Sequence, residues 1–327
     1  MKSVNRRIAV LGAATWLGVL GSCSAWAQSA TDWPNRTVTV VVGFSAGGPT
    51  DVVTRMLAEK LGTKFGQSFV VDNKAGASGE VAAAYVKRAP ADGYTLMVGS
   101  SSTLSIIPTL RTTSYDTLND FSAIALIASY PYFLVVPSTS PIKNLDDLIK
   151  VGREPGSKLS FASAGNGAVN HLAGEWFKSE AGVDAVHIPY KGDSAAVTDL
   201  VAGRVDFAFL AGAVAMPLVN GGQLRVLASA SAKPGLGGPG VPTLGDRFKG
   251  FAAEPWNGLM GPAGVPAPIV NKINTAVNEI MNDPAVVKQL ALWDQFPLTG
   301  TPQEFTDHIK SQTARWESVI KSANVRE

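Results

Sequence analysis

Cysteine is nearly absent: the 327 residues contain one, Cys23. That excludes a disulfide framework and a cysteine-based zinc site. Histidine is scarce as well, with His171, His187 and His308 the only three. No H-E-x-x-H run and no acidic calcium loop occurs. Neither sign of charge is in excess, with 28 Lys and Arg against 26 Asp and Glu. The basic footprint of a nucleic-acid-binding domain is therefore missing. Beyond the N-terminal segment no run is apolar for 18 or more residues, the length a spanning helix needs. The remaining composition, 46% hydrophobic and 17% charged, is that of a globular chain with room for two lobes.

The first residues read as an address. Lys2, Arg6 and Arg7 precede the apolar run 8–21, and Ala25-Trp26-Ala27 is a small-x-small cleavage pattern before Gln28. These are the three regions of a secretory signal peptide, residues 1–27, so the mature chain is expected to be secreted. Two alternatives stay open: an uncleaved anchor, and a lipoprotein box at Leu20-Gly21-Ser22-Cys23, which would lipidate Cys23. Cleavage leaves 300 residues with 25 basic and 26 acidic side chains and no cysteine. Such a chain is held by its core alone, and its size permits that.

The mature chain alternates strands and helices. Strands are expected at 37–43, 69–72 and 94–99, with helices beginning after Thr50, stopped by Gly62, and spanning 81–87. A second series has strands at 159–163, 185–189, 205–210 and 224–229, with helices from Val169 and over 194–202. Between the series lie a strand at 132–137 and a helix at 145–149. Residues 231–250 read as loop, and a strand returns at 256–261. Ile269, Val270, Ile273, Val277, Ile280 and Met281 form one helical stripe, and Thr301-Pro302-Gln303-Glu304 is a capping box for a last helix. The alternation predicts an α/β fold with parallel sheets. Two such units predict lobes facing each other across a cleft: 28–131, then 132–250, with 251–327 returning to the first.

Several loops carry candidate chemistry. Ser45 to Asp51 joins a strand to a helix, and its glycines let backbone approach a ligand. The unpaired N–H groups of a helix start hold a carboxylate without a lysine or arginine. The same loop is equally a tight turn with Thr50 or Asp51 as N-cap, and it lacks a Walker lysine. Ser163-Ala164-Gly165-Asn166-Gly167 repeats the arrangement, with Asn166 as cap or ligand and His171 as ligand or structural residue. Ser100, Ser101, Ser102 and Thr103 end a strand, where open α/β sheets bind ligands. They are either a polar wall or a solvated loop. Asp206 either accepts from a ligand amine or is a turn carboxylate. Trp256 either stacks on a ligand or packs. No Ser-His-Asp set, general acid/base pair or metal cluster stands out, so no catalytic residue, metal or cofactor is assigned.

The ordered set of motifs resembles one family over essentially the whole mature chain. It comprises Trp33-Pro34, Gly47-Gly48-Pro49-Thr50-Asp51, Asn73-Lys74-Ala75-Gly76-Ala77, Asp92-Gly93-Tyr94-Thr95-Leu96, Ser163 to Gly167 with His171-Leu172-Ala173-Gly174-Glu175, Pro189-Tyr190-Lys191-Gly192, and Thr301 to Phe305 with Trp316. These residues resemble the Bug/TctC family, periplasmic substrate-binding proteins of tripartite tricarboxylate transporters. The resemblance implies a type II periplasmic-binding-protein fold, two α/β lobes joined by crossing segments. It implies a ligand that is an organic acid, an amino acid or an aromatic acid, held by backbone amides and bridging waters. That role falls by motif on Gly47, Gly48, Pro49, Thr50 and Asp51 in one lobe, and on Ser163, Ala164, Gly165, Asn166 and His171 in the other. Phe44, Ala46, Ser100, Ser102, Thr103, Tyr190 and Asp206 complete the candidate site. The implied partners are membrane transporter subunits or a sensor, with no nucleic acid, and the chain is expected as a monomer.

Two departures from the family pattern bear on the ligand. Leu104 follows Thr103 where many members have His, and Ile107 stands where Asn is common. Both put apolar groups near a ligand loop, which predicts a ligand with an apolar portion. A hydrolase using a cleft serine is the competing reading; it needs an activating base near the nucleophile, and spacing offers none.

Overall fold

The computed structural model describes residues 32–231, 235, 236, 240–323 and 325. The signal segment, its cleavage site and Cys23 lie outside the described residues. The chain builds one sheet, leaves it, builds a second and returns. The first series is β1 (Val38–Val42), α1 (Pro49–Phe65), β2 (Phe69–Asn73), α2 (Glu80–Lys87) and β3 (Thr95–Ser100). A π-turn at Ser102–Ile106 leads into α3 (Ile107–Leu110) and then β4 (Phe121–Ser129). The second series is β5 (Tyr132–Pro137), α4 (Leu145–Gly152), β6 (Leu159–Ser163), α5 (Val169–Ala181), β7 (Ala185–Pro189), α6 (Asp193–Val201), β8 (Phe207–Ala211), α7 (Gly212–Asn220) and β9 (Leu224–Ser229). After α8 (Leu244–Arg247) come β10 (Trp256–Pro262), α9 (Ala267–Met281), α10 (Pro284–Ala291), β11 (Phe296–Pro297) and α11 (Pro302–Ser322).

The sheets have orders β11-β4-β10-β3-β1-β2 and β7-β6-β8-β5-β9. In the first, β1 pairs in parallel with β2 and β3, while β10 runs antiparallel between β3 and β4. In the second, β6 pairs in parallel with β7 and β8, and β5 lies antiparallel between β8 and β9. β5 and β10 are each the first strand after a crossing, and the two-residue β11 also pairs antiparallel, with β4. The chain crosses outward at Tyr130-Pro131 and back at Glu254-Pro255, and the Tyr130 N–H donates to the Pro255 carbonyl at 3.1 Å. The two crossings thus lie side by side between the sheets.

Each lobe has its own core. Val38, Val40, Leu57, Leu96 and Ile127 pack under α1 and α9 in the first lobe. Phe161, Phe177, Phe207 and Phe209 form an aromatic core in the second. The last helix serves both. Its Phe305 and Ile309 pack beside Trp256 in the first lobe, and its Trp316 and Val319 join the second core. Its expected capping box forms, with Thr301 and Glu304 exchanging side-chain to backbone bonds.

The structure corrects five local expectations. Helix α1 does not stop at Gly62 but runs to Phe65, and Gly66 ends it at φ +67°. Gly62 is a packing residue, since a Cβ there would lie 3.3 Å from the Gln67 carbonyl oxygen. Neither Thr50 nor Asp51 caps that helix; Gly48 holds the cap position, and Asp51 bends back to accept the Gly47 N–H at 2.9 Å. Asn166 does not cap α5 either, where Ala168 holds that position. Ser100 to Thr103 are not a solvated loop: all four are buried. Within 231–250, the short α8 also forms, capped by Thr243.

Candidate functional site

The cleft is closed by a seam of polar contacts between the lobes. Ser45 donates its N–H to the Lys191 carbonyl at 3.1 Å, and its hydroxyl meets Ser194 Oγ at 2.7 Å. Ser194 Oγ donates to the Ala46 carbonyl at 2.9 Å. Ser78 Oγ donates to the Asn166 carbonyl at 2.6 Å, and Ser102 Oγ accepts the Val169 N–H at 3.0 Å. Glycine makes this proximity possible. A Cβ on Gly192 would sit 2.3 Å from Ser45 Oγ, and one on Gly165 would sit 2.9 Å from Ser78 Oγ.

Under the seam lies a small cavity, with about 20 Å³ open to the centre of a water molecule. The first lobe lines it with Phe44, Gly48, Pro49, Thr50, Ser100 and Ser102. Tyr130 comes from the outward crossing, and Tyr132, Ala164 and Asp193 come from the second lobe. Two helices of adequate length point their first turns at it, α1 through Gly48 to Thr50 and α6 through Asp193. Pro49 has no N–H and the Gly48 N–H meets the Ser45 carbonyl at 3.4 Å, so within the lining α1 offers an anion the Thr50 N–H and the partial positive charge of a helix start. Among the lining residues there is no lysine or arginine.

Around this cavity the polar groups are tightly organised. Thr50 Oγ1 accepts from Asn257 Nδ2 at 3.1 Å, and the Tyr130 hydroxyl is hydrogen-bonded to Thr50 and Tyr132. The two tyrosine rings meet edge-on at 5.9 Å. Burial raises both phenols well above their ordinary range, helped by the nearby Asp193, so both stay neutral. Asp193 is only 3% exposed. Its Oδ1 accepts from Asn170 Nδ2 at 2.7 Å, whereas Oδ2 has no hydrogen-bond partner among the described residues. Burial pushes its carboxyl up to about 7, against the pull of the Ala211 N–H and the Asn170 amide.

Comparison with known proteins decides the family. The chain matches the tripartite tricarboxylate transporter family receptor, TctC, over residues 53–325. This protein belongs to the TctC family. Three solved structures align with it closely. Rpa4515 of R. palustris, solved with adipate, is 36% identical with a TM-score of 0.86, covering 90% of this chain and 99% of that one. The periplasmic binding protein BugD is 30% identical with a TM-score of 0.86 over the same shares, 90% and 99%. MatC of Rhodopseudomonas palustris, solved with malate, is 31% identical with a TM-score of 0.82, covering 88% of this chain and 100% of that one. The two α/β lobes with a cleft between them are thus the TctC form of the periplasmic-binding fold.

The sequence-predicted site residues of this TctC receptor fall into two groups. Phe44, Gly48, Pro49, Thr50, Ser100, Ser102 and Ala164 line the cavity. The others are placed beside it or away from it. Ala46 and Gly47 belong to the seam loop, and the Gly47 N–H is taken by Asp51. Asp51 also receives Arg55 Nε at 2.9 Å and Asn73 Nδ2 at 2.8 Å. Burial works against its charge, but the bonds from Arg55, Gly47 and Asn73 prevail and hold its carboxyl below the usual range. Thr103 Oγ1 donates to the Ser78 carbonyl at 2.9 Å. In the second lobe, the Ala164, Gly165 and Gly167 N–H groups are taken by Asn170, Ser163 and His171. Asn166 is exposed, with its carbonyl in the seam. Tyr190 donates to Asp199 Oδ2 at 2.7 Å. Asp206 accepts the N–H and hydroxyl of Ser160 at 2.8 and 2.9 Å, fixing the start of β6.

The apolar departures and the tryptophan are also placed. Leu104 packs against Gly99, and Ile107 packs against Gly167; neither lines the cavity. Trp256 is buried beside Phe305 and does not line it either.

Two serine arrangements bear on catalysis. Ser163 Oγ lies 2.6 Å from His187 Nε2, and the His187 ring stacks on His171 at 3.9 Å. Burial first, then the neighbouring His171 and Lys178, lower His187 to about 3. A base so weak is a poor proton acceptor at neutral pH, and neither residue lines the cavity. Gly43-Phe44-Ser45-Ala46-Gly47 has the spacing of a nucleophile elbow, which the sequence reading passed over. Its serine is bonded to Ser194 rather than to a histidine.

Sequence reasoning missed Tyr130, Tyr132 and Asp193. The tyrosines flank the crossing, and Asp193 opens the helix after Lys191-Gly192. A carboxylate directly after a glycine at a helix start was the available signal.

Proposed function

We propose that the protein is a periplasmic receptor that reversibly captures a small carboxylate and presents it to membrane transporter subunits or to a sensor. The observation that carries this reading is the first turn of α1, Gly48 to Thr50, lining a cavity buried between two lobes. Rpa4515 with adipate and MatC with malate supply the ligand class. The lobes part to admit the ligand, because the closed cavity has room for little more than an ordered water. Its carboxylate takes the Thr50 N–H at the start of α1, Ser100 and Ser102 add hydroxyls, and closure excludes water. No bond is made or broken, so the protein acts as a binding module. The mature chain works as a monomer.

A thermal-shift screen of the mature protein against a few hundred small carboxylates tests the reading. A ligand at a hundredfold excess over its Kd stabilises the native state by about 2.7 kcal/mol. No shift with any carboxylate would overturn it. Hydrolysis of a chromogenic ester, abolished by Ser163→Ala or Ser100→Ala, would favour the hydrolase alternative.

A further inference from the structure

Asp193 sets a condition that a plain carboxylate ligand does not meet. It lines the same cavity as the first turn of α1, is almost wholly buried, and leaves Oδ2 without a donor. The carboxyl's protein donors are the Asn170 amide and the Ala211 N–H, and neither stands at hydrogen-bond distance from Oδ2. Asn170 spends one amide hydrogen on Asp193 Oδ1 and directs Nδ2 to the Phe209 carbonyl as well, while its own oxygen takes the Ala164 N–H. The Tyr130 hydroxyl is hydrogen-bonded with Thr50 and Tyr132. No cation lines the wall. A ligand carboxylate placed here either meets a like charge in a desolvated site or requires Asp193 to keep a proton, and both carry a cost that an ammonium group avoids. An ammonium group brings three donors and the opposite charge. Thr50 and Asp193 line the same cavity, so a carboxylate at one and an ammonium at the other belong to one small ligand, as they do in an α-amino acid.

We infer that Asp193 receives the ammonium group of the ligand through Oδ2, so that this receptor selects α-amino acids over the deaminated acids of the same skeleton. The inference rests on the carboxylate-receptor reading and narrows it: the α1 first turn holds the carboxylate, and the Asp193 side chain, whose charge outweighs the positive end of α6, holds the amine. The sequence reading gave the amine to Asp206, whose Oδ2 is taken by Ser160; the fold gives it to Asp193.

The test uses matched pairs that differ only at the amine: leucine and 4-methylpentanoate, phenylalanine and 3-phenylpropanoate, aspartate and succinate, glutamate and glutarate. Isothermal calorimetry on the mature protein is expected to show the amino acid binding at least 30-fold tighter in one or more pairs. In Asp193→Asn, which keeps the oxygen facing Asn170, that amino acid loses at least tenfold and the gap within its pair narrows. A deaminated acid binding within 30-fold of its partner in every pair that binds overturns the inference and leaves the receptor reading standing. An Asp193→Asn protein that folds and keeps the full preference also overturns it. Binding of no member of either arm, nor of any acid in the wider screen, overturns both. The comparison on the unaltered protein stands whether or not the variant folds.

Discussion

Gly192→Ala isolates the contribution of the seam. The added Cβ would lie 2.3 Å from Ser45 Oγ, 3.0 Å from Ser45 N and 3.3 Å from Ser45 Cβ. Turning the hydroxyl aside removes only the first of these contacts, so the two loops must separate. Separation stretches the three bonds that join Ser45 and Ala46 to Lys191 and Ser194. At about 0.5–1.5 kcal/mol net each, losing all three weakens the closed state by roughly 1.5–4.5 kcal/mol. Ligand affinity should then fall by about 10- to 1000-fold, since each 1.4 kcal/mol is a factor of ten. Gly192 also has a φ of +140°, which alanine tolerates poorly. Gly203→Ala is the control, because Gly203 has φ +69° and no neighbouring atom within 4 Å of the added Cβ. It should cost about 1–2 kcal/mol of folding stability from backbone strain and leave affinity unchanged. Calorimetry with an acid that binds the wild type, paired with urea unfolding of both ligand-free variants, separates the two effects. Wild-type affinity in Gly192→Ala, or equal loss in both variants, would refute the seam argument.

Three further outcomes follow from the same geometry. Asp193 has a folded pKa raised to about 7 from 3.8, so the native state holds its proton more tightly and stability falls as pH rises from about 4 to 7. Asp193→Asn should therefore be more stable than wild type at pH 8 by up to about 4 kcal/mol, with the difference gone at pH 4; a pH-independent difference in urea unfolding contradicts this. His171 and His187 are lowered to about 4 and 3, mainly by burial, so their contribution is complete above the unfolded value near 6.5 and is lost as pH falls through 4 and 3. Acidification should cost several kcal/mol, seen as earlier urea unfolding at pH 5 than at pH 7.5, and His187→Gln should flatten that fall. Thr301→Ala removes the capping box of α11 and should cost about 1 kcal/mol, read as a lower melting temperature with ligand affinity retained.

Much of the scaffold was legible because its signals are local. β6 (Leu159–Ser163), β7 (Ala185–Pro189) and β9 (Leu224–Ser229) occur at the residues expected, and α11 starts at its Thr301 cap. Short β-branched runs and capping residues act over a few positions, so sequence alone reports them. The misses have equally local causes. β4 is FSAIALIAS, buried along most of its length and without clean alternation. α7 carries Pro217 inside it, which argues against a helix. Gly62 resembles a stop because glycine often ends helices, but here it lets α1 lie close to the chain entering β2.

The order of strands and helices, the helix starts after small-residue loops and the membership of the TctC family were all determined by the sequence. Which of those loops reach the cavity was decided by tertiary structure. The loop at Ser163 turns its amides inward because Asn170 and His171 fold back onto them. Asp206 serves Ser160, whereas Asp193, thirteen positions earlier, is brought beside Tyr130 and Thr50 by the closing of one lobe on the other. A carboxylate looks the same in any sequence; whether it ends with a donor or without one depends on partners distant along the chain, and only the folded arrangement supplies them.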